Sequence, residues 1–572
     1  MRIRKELFAD ERDDDLRLVG RPVRRQDIEG HVTGRSTFFD DHPVSGLLHL
    51  RCVRSTEHHA RIRSIDTTAA ERVPGVRRIL RYADLPKKAH NILTIFNFGI
   101  DDEPALADGK VRYLGEPIVA VLAESPRAAA EAVAKVRVDY DPLPAVFDVE
   151  EALKPGAPLV NEYIGRNWFR YWGDYDCQQI RFGDVEAALR SADLVVTGRY
   201  QMSPIEHAPL ETNGCIVVPA EDGRFTVYTC TQGLFFSLDN TAAQLKIESN
   251  RLHFIGGTVG GGFGGKVDTV VEPLAVLAAM LTGRPVRYVF SRAEEMQVSS
   301  PRGAERIYIE DGVMRDGRIV ARKITHYHDA GAYSRLSTYG TIKSAAHHPG
   351  PYYIPNVRVD SWCVFTNRTP SSAMRGFGVT GGDFALESHM DVVARAIGMD
   401  PMEFRILNAY RDGDMKAHRK LTQGAALIEC VQVAAELAGW PLSEEARRAS
   451  SRVGGGGERA RIPPTPPSRT RAPAAGTGRF EPARSGAGEP RRAITPPPAW
   501  TGGRAEPLRA GAGESRRAIT PPPAWTGAPP APTGEPARRE PERREPPSEP
   551  PRPAGPKHGA IRFSSVFGTR RR

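Results

Sequence analysis

The chain has 572 residues, a hydrophobic fraction of 40% and a formal net charge of +10 from 79 basic and 69 acidic residues. That length holds two to four domains with real cores. Much of the arginine excess lies in a C-terminal tail ending in Arg570, Arg571 and Arg572, with no aromatic-interleaved basic surface or finger spacing, so no specific nucleic-acid function is expected. Up to about residue 25 the chain is charged, and MRIRKELFADERDDD has no apolar leader core. From about 28 to 145 the pattern is that of one α/β unit. Gly115 to Glu124 is a predicted buried strand, rich in β-branched residues. Ser125-Pro126 supplies an N-cap and a first-turn proline for a helix through Ala134. Val136 to Tyr140 alternates as a strand, which Pro142-Leu143-Pro144 ends.

After a linker, Asp184 is placed to cap a short helix and Leu194 to Tyr200 to form a strand. Arg251 to Gly257 is a strand feeding a glycine loop, Asp268 to Leu281 has helical apolar spacing, and Val286 to Phe290 is again a strand. A further helix is predicted over Phe384 to Ile397, closed by Gly398. This mixture argues for an α+β fold. The longest apolar run, Val270 to Leu281, is broken by Glu272 and Pro273 and is too short to cross a bilayer. Cys52, Cys177, Cys215, Cys230, Cys363 and Cys430 are isolated, without any C-x-x-C pair. Zinc ribbons and cysteine-ligated clusters therefore find no support on this chain, and a cytoplasmic, non-membrane location is expected. Beyond about residue 450 the composition shifts to Pro, Gly, Ala, Arg and Glu, which buries too little apolar surface to fold, so disorder is expected there. GAGEPRRAITPPPAWTG at Gly486 recurs as GAGESRRAITPPPAWTG at Gly511, 25 residues on; a PPP core forms neither helix nor ladder.

The most distinctive segment is GGTVGGGFGGK, Gly256 to Lys266. Glycines of this density let backbone approach a bulky ligand. Gly260 to Lys266 satisfies G-x-x-x-x-G-K, but the next residue is Val267 where a P-loop needs Ser or Thr for magnesium. Gly260, Gly262 and Gly265 also fit G-x-G-x-x-G, without the expected first βαβ context. His207, His347 and His348 carry no metal-ligand spacing and are assigned structural or surface roles. Lys266, with no visible partner, is assigned to a helix start.

GGGFGGK, together with TCTQ (Thr229 to Gln232), HAPLETNG (His207 to Gly214), GPYYIPNVRV (Gly350 to Val359), AMRGFGVTGG (Ala373 to Gly382), the stretch LESHMDVVARAIGMDPMEFRILNAYRDGD and, upstream, KVRYLGEPIVAVLAES and YDPLPAVFDVEEAL, resembles the molybdopterin-binding large subunit of the xanthine dehydrogenase/aldehyde oxidase family. The resemblance covers about residues 25 to 445. It implies an N-terminal segment (1–24), a hammerhead domain (25–145), a first molybdopterin-binding domain (146–445) and a tail (446–572). It implies that Gln232 hydrogen-bonds an oxygen on molybdenum, that Gly261, Gly262, Phe263 and Gly264 lie against the cofactor, that Arg375 and Gly376 hold its pterin end, and that Phe263 and Phe377 face the substrate. The cofactor implied is molybdopterin with molybdenum, in the cytosine dinucleotide form, with iron–sulfur and FAD groups on partner subunits. The implied reaction is hydroxylation of an aldehyde or N-heterocycle with oxygen from water. Purine-oxidising members carry a glutamate after the loop lysine; here Val267 stands there and disfavours purines.

The family's general-base glutamate lies in a second molybdopterin half, and no position of this chain matches it. The explanations are a split subunit, with that half on a separate partner, or a frameshifted or truncated coding sequence; the abrupt composition change and the tandem repeat favour the latter. Either way the chain alone is expected to be inactive, and a non-catalytic remnant is the alternative function.

Overall fold

A computed structural model describes Leu18 and residues 22–452. Most of the N-terminal segment, and the tail beyond Arg452 with its repeat, lie outside the described residues. Among the described residues fifteen strands run in chain order as β1 (Leu48–Arg54), β2 (Ala60–Asp66), β3 (Val76–Leu80), β4 (Lys110–Val111), β5 (Pro117–Ala123), β6 (Arg137–Pro142), β7 (Gln178–Phe182) and β8 (Leu194–Met202). They continue as β9 (Gly214–Pro219), β10 (Phe225–Thr229), β11 (Leu252–Gly256), β12 (Val286–Val289), β13 (Glu305–Val313), β14 (Ile319–Gly331) and β15 (Val357–Phe365).

Three sheets result: seven strands in the order β11-β10-β9-β12-β1-β5-β3, five in the order β7-β15-β14-β13-β8, and the small set β4-β2-β6. The large sheet takes strands from both sides of residue 145. Its seam is the parallel pair β1–β12, with Leu48 opposite Val286 and Leu50 opposite Tyr288. Leu48, Leu50, Leu122, Val217, Val227 and Val286 fill one continuous apolar core there. A second core lies between the five-stranded sheet and the helices Thr380–Ala396 and Pro401–Asn408, around Ile309, Ile324, Val359, Leu386 and Phe404.

Local signals place most elements. Ser125 Oγ accepts from the Ala128 amide at 3.1 Å and opens the helix Pro126–Lys135. Asp184 caps Val185–Ser191 through the Ala187 amide. β6 runs through Pro142 instead of stopping before it, because β6 is an edge strand and a missing N–H is tolerated there. The helix expected from Asp268 starts at Glu272; Asp268 to Val271 form an irregular bend, and Pro273 suits a first turn. The helix expected from Phe384 starts a turn earlier, at Thr380. Gly381 and Gly382 are inside it because a Cβ at 381 would lie 2.1 Å from Glu305 Oε2 and one at 382 would lie 2.9 Å from His348 Nδ1. Gly398 follows its end with φ +70°.

Candidate functional site

The glycine loop leaves β11 in a chain of left-handed conformations: Gly261 at φ +98°, Phe263 at +52° and Gly264 at +104°. For Phe263 this backbone costs about 1–2 kcal/mol, so the surroundings must impose it. Gln232, at the end of TCTQ, does so. Its Oε1 accepts from the Gly264 amide at 2.8 Å and from the Lys266 amide at 3.4 Å, and its own backbone amide donates to Lys266 O at 2.8 Å. Gly262 has no room for a side chain, since a Cβ would fall 2.4 Å from Gln232 Cδ. With Oε1 engaged by the loop, the Nε2 end of this exposed carboxamide is the one presented outward.

The AMRGFG segment packs on the same loop. The Arg375 amide donates to Phe263 O at 2.8 Å, and a Cβ at Gly264 would stand 2.7 Å from Ala373 O. From the other side the Arg302 guanidinium donates to the carbonyls of Arg375 and Gly376. Gly376 and Gly378, at φ +77° and +73°, turn the chain into the helix Thr380–Ala396. Phe377 is half-buried and packs with Val267 onto Ile92, Leu93, Leu336 and Ala373. Its ring lies 6.1 Å from Tyr339, with Lys343 Nζ 5.5 Å above it.

Gln232, Gly261, Gly262, Phe263, Gly264, Arg375 and Gly376 therefore converge on one face, with Phe377 and Val267 forming an apolar wall at its edge. The Gln232 and Arg375 side chains are exposed, as is Phe263 at 48%. The amides of Gly261, Gly262, Phe263, Gly376 and Phe377 make no hydrogen bond among the described residues. Successive amides in such turns form a concave, electropositive surface suited to oxyanions. A large anionic, oxygen-rich ligand such as a molybdopterin dinucleotide fits these donors and the glycine clearance beside them. A cavity lined by Arg54, Glu103, Asp268, Thr269 and Arg335 lies elsewhere and includes none of the Gln232, Phe263, Arg375 and Phe377 group.

Two parts of the site were not legible as local signals. Lys266 is fully buried, and its Nζ donates to Glu211 Oε2 at 2.8 Å, which also accepts from the Gly260 amide at 2.8 Å. The assignment of Lys266 as a partnerless helix-start residue is corrected: it is an internal strut, and the helix begins six residues later, at Glu272. A lysine so held cannot reach a phosphate, which removes the P-loop alternative. His207 lies beneath the loop, with Nε2 against Ala373 O at 2.9 Å and its ring against Gly265. Its neighbourhood is braced by Asn213, which donates from amide and side chain to the buried Glu295 carboxylate at 2.7 and 2.8 Å. His347 is exposed at a helix end, whereas His348 is buried.

This fold and loop constellation match two family models: "Aldehyde oxidase and xanthine dehydrogenase, a/b hammerhead domain" over residues 33–144 and "Molybdopterin cofactor-binding domain" over 172–409. The chain belongs to the xanthine dehydrogenase/aldehyde oxidase family of molybdopterin-binding large subunits, a family of molybdenum-containing oxidoreductases. Among its relatives, the nicotinate dehydrogenase large molybdopterin subunit of Eubacterium barkeri is 33% identical over 74% of this chain and 97% of that protein. The xanthine dehydrogenase/oxidase of Mus musculus is 33% identical over 72% of this chain, but only 30% of its own length is covered. Of solved structures, the aldehyde oxidoreductase of Desulfovibrio gigas superposes with a TM-score of 0.67 at 30% identity, over 73% of this chain and 47% of that one. The quinoline 2-oxidoreductase of Pseudomonas putida 86 gives 0.68 at 28% identity, over 73% and 54%. The chain thus spans nearly all of the first relative and between 30% and 54% of the other three.

Proposed function

We propose that this chain is the part of a molybdenum hydroxylase that holds one side of a molybdopterin cofactor and of its substrate, an aldehyde or N-heterocycle oxidised with oxygen from water. The observation carrying this is the convergence of Gln232, the unbonded amides of the glycine loop and the Arg375–Phe377 turn on one exposed face. When bound, molybdenum supplies the redox and oxygen-transfer chemistry. In this reading Gln232 Nε2 would donate a hydrogen bond that holds the molybdenum end of the cofactor. The loop amides donate to the cofactor's anionic edge, Arg375 and Gly376 hold its pterin end, and Phe263 and Phe377 orient a flat substrate. Val267 offers no hydrogen bond and sits in an apolar cluster, which supports an apolar heterocycle or aldehyde over a purine.

Among the described residues this face is open, which supports a general base and remaining cofactor contacts from another polypeptide segment. We assign that segment to a separate second-half subunit, alongside iron–sulfur and FAD subunits, with the cytosine dinucleotide as the cofactor form. The 97% coverage of a relative named a subunit in its own right supports the split arrangement over a frameshifted remnant. Affinity purification of the chain from its source cells, with molybdenum analysis and turnover of nicotinate and benzaldehyde in ¹⁸O-water, tests this. Label in the product from the complex and none from the chain alone is expected; a molybdenum-free chain with no co-purifying subunit would leave the remnant.

A further inference from the structure

β13 and β14 pair antiparallel, with Glu305 directly opposite His328, and His326 two positions along, opposite Ile307. Side chains two apart on a strand share a face, so both imidazoles meet one carboxylate. All three residues are buried, at 3%, 0% and 3% exposure. His326 Nε2 lies 3.4 Å from Glu305 Oε2 and His328 Nδ1 lies 3.8 Å from Oε1. These separations exceed a normal hydrogen bond, and Glu305 Oε2, His326 Nε2 and His328 Nδ1 have no aligned partner. Leaving three such atoms buried and unmatched is costly.

The outward nitrogen of His326, in contrast, is engaged. β14 pairs parallel with β15, which places Ser361 opposite His326, and its Oγ lies 2.6 Å from His326 Nδ1. Ser371 Oγ stands 3.5 Å from His328 Nε2. The short contact from Ser361 orients the His326 ring so that its Nε2 points inward, whereas the long Ser371 contact leaves the His328 ring free to turn. A partner on the outer nitrogen is the usual arrangement around metal-bound histidines. His348, 2% exposed, packs edge-on against His326 with ring centroids 4.6 Å apart.

We propose that Glu305, His326 and His328 form a binding site for a divalent transition cation of the zinc class. The three donor atoms lie within 4.8 Å of one another; a tetrahedral ion with bonds of about 2.0–2.1 Å requires donors roughly 3.3 Å apart, so a small rotation of His328 completes the site. Two imidazoles exclude magnesium and calcium, which take oxygen ligands. The role is structural, since the residues are closed to solvent. Glu305 Oε2 abuts the backbone at Gly381, and Arg302, three residues upstream, grips the Arg375 and Gly376 carbonyls. An ion here ties the start of β13 to the helix that leaves the Arg375–Phe377 turn, whether or not the redox reading holds.

The test uses the untagged full chain, treated with chelator, then exposed to Zn²⁺ or Co²⁺ and desalted. Expected are one tightly held equivalent by elemental analysis, visible tetrahedral Co²⁺ absorption, and a higher melting temperature. Glu305→Gln and His326→Ala should each lose that equivalent and the absorption, and Ser361→Ala should weaken affinity roughly 10- to 100-fold. Wild-type protein that retains no metal, or variants that retain an undiminished equivalent, would overturn the proposal. If the variants do not fold, the melting shift of the wild type on adding Zn²⁺ decides, and no shift overturns it.

Discussion

Replacing Lys266 with methionine removes an ammonium whose side chain is 0% exposed and leaves the Glu211 carboxylate, 13% exposed, inside the loop. Glu211 Oε1 already lacks a partner and Oε2 would retain only the Gly260 amide. Deleting one member of a buried pair costs about 3–5 kcal/mol. Glu211's residual exposure and its remaining amide bond put this case near the low end, about 3 kcal/mol. Because the strut spans the glycine loop, part of the loss should appear as local opening. Urea denaturation reads the global part, and amide exchange by mass spectrometry over residues 257–267 reads the local part. Glu211→Gln in the same background removes the stranded charge, so a double-mutant cycle should show coupling of about 2 kcal/mol. A K266M protein within about 0.5 kcal/mol of the parent, with unchanged loop exchange, would refute the strut.

Gly262→Ala sets a Cβ against Gln232 Cδ. It should cost about 1–3 kcal/mol, push the carboxamide off the Gly264 amide and lower the molybdenum content of the purified complex. The Arg322–Asp311 pair is fully buried and bidentate at 2.8 and 2.6 Å; Asp311→Ala should lower stability by about 3–5 kcal/mol in urea titrations. Burial raises Asp102 from 3.8 to about 7, so the native state binds its proton more tightly than the unfolded chain does. Its stability contribution is full below pH about 4 and is lost as pH rises through 7, on the order of 4 kcal/mol in all. Asp102→Asn should flatten the decline in melting temperature between pH 5 and 8, although Glu116, which burial also raises to about 7, keeps its own share of the slope. An unchanged slope would contradict the burial argument.

Caps and periodicity made several elements legible. Ser125-Pro126, Asp184 and Gly398 each mark a helix end for reasons contained within a few residues. The members of the candidate site were legible through motif likeness, and the structure brings them together. What stayed hidden depended on distant segments. Glu211 and Lys266 are far apart in the chain and meet only because the loop folds back on the HAPLETNG segment. The first turn of the helix Thr380–Ala396, with Gly381 and Gly382, was not legible because Glu305 and His348, which claim their missing side-chain space, are remote in sequence. His326 and His328 show the alternation of one strand face, but Glu305 joins them only through the β13–β14 register. The same holds for the large sheet, whose seam no local pattern announces.

That seam has a consequence for how the protein is made. β1 gains β5 on one side early, but its parallel partner on the other side begins only at Val286, so that side of the first core strand is synthesised long before its neighbour exists. At about 5–20 residues per second, the intervening ~240 residues take roughly 12–48 s to emerge. Throughout that interval one edge of β1 presents unpaired backbone N–H and C=O groups on the nascent chain. Ribosome-associated chaperones, and the order in which segments leave the exit tunnel, thereby become part of the physical chemistry of this fold.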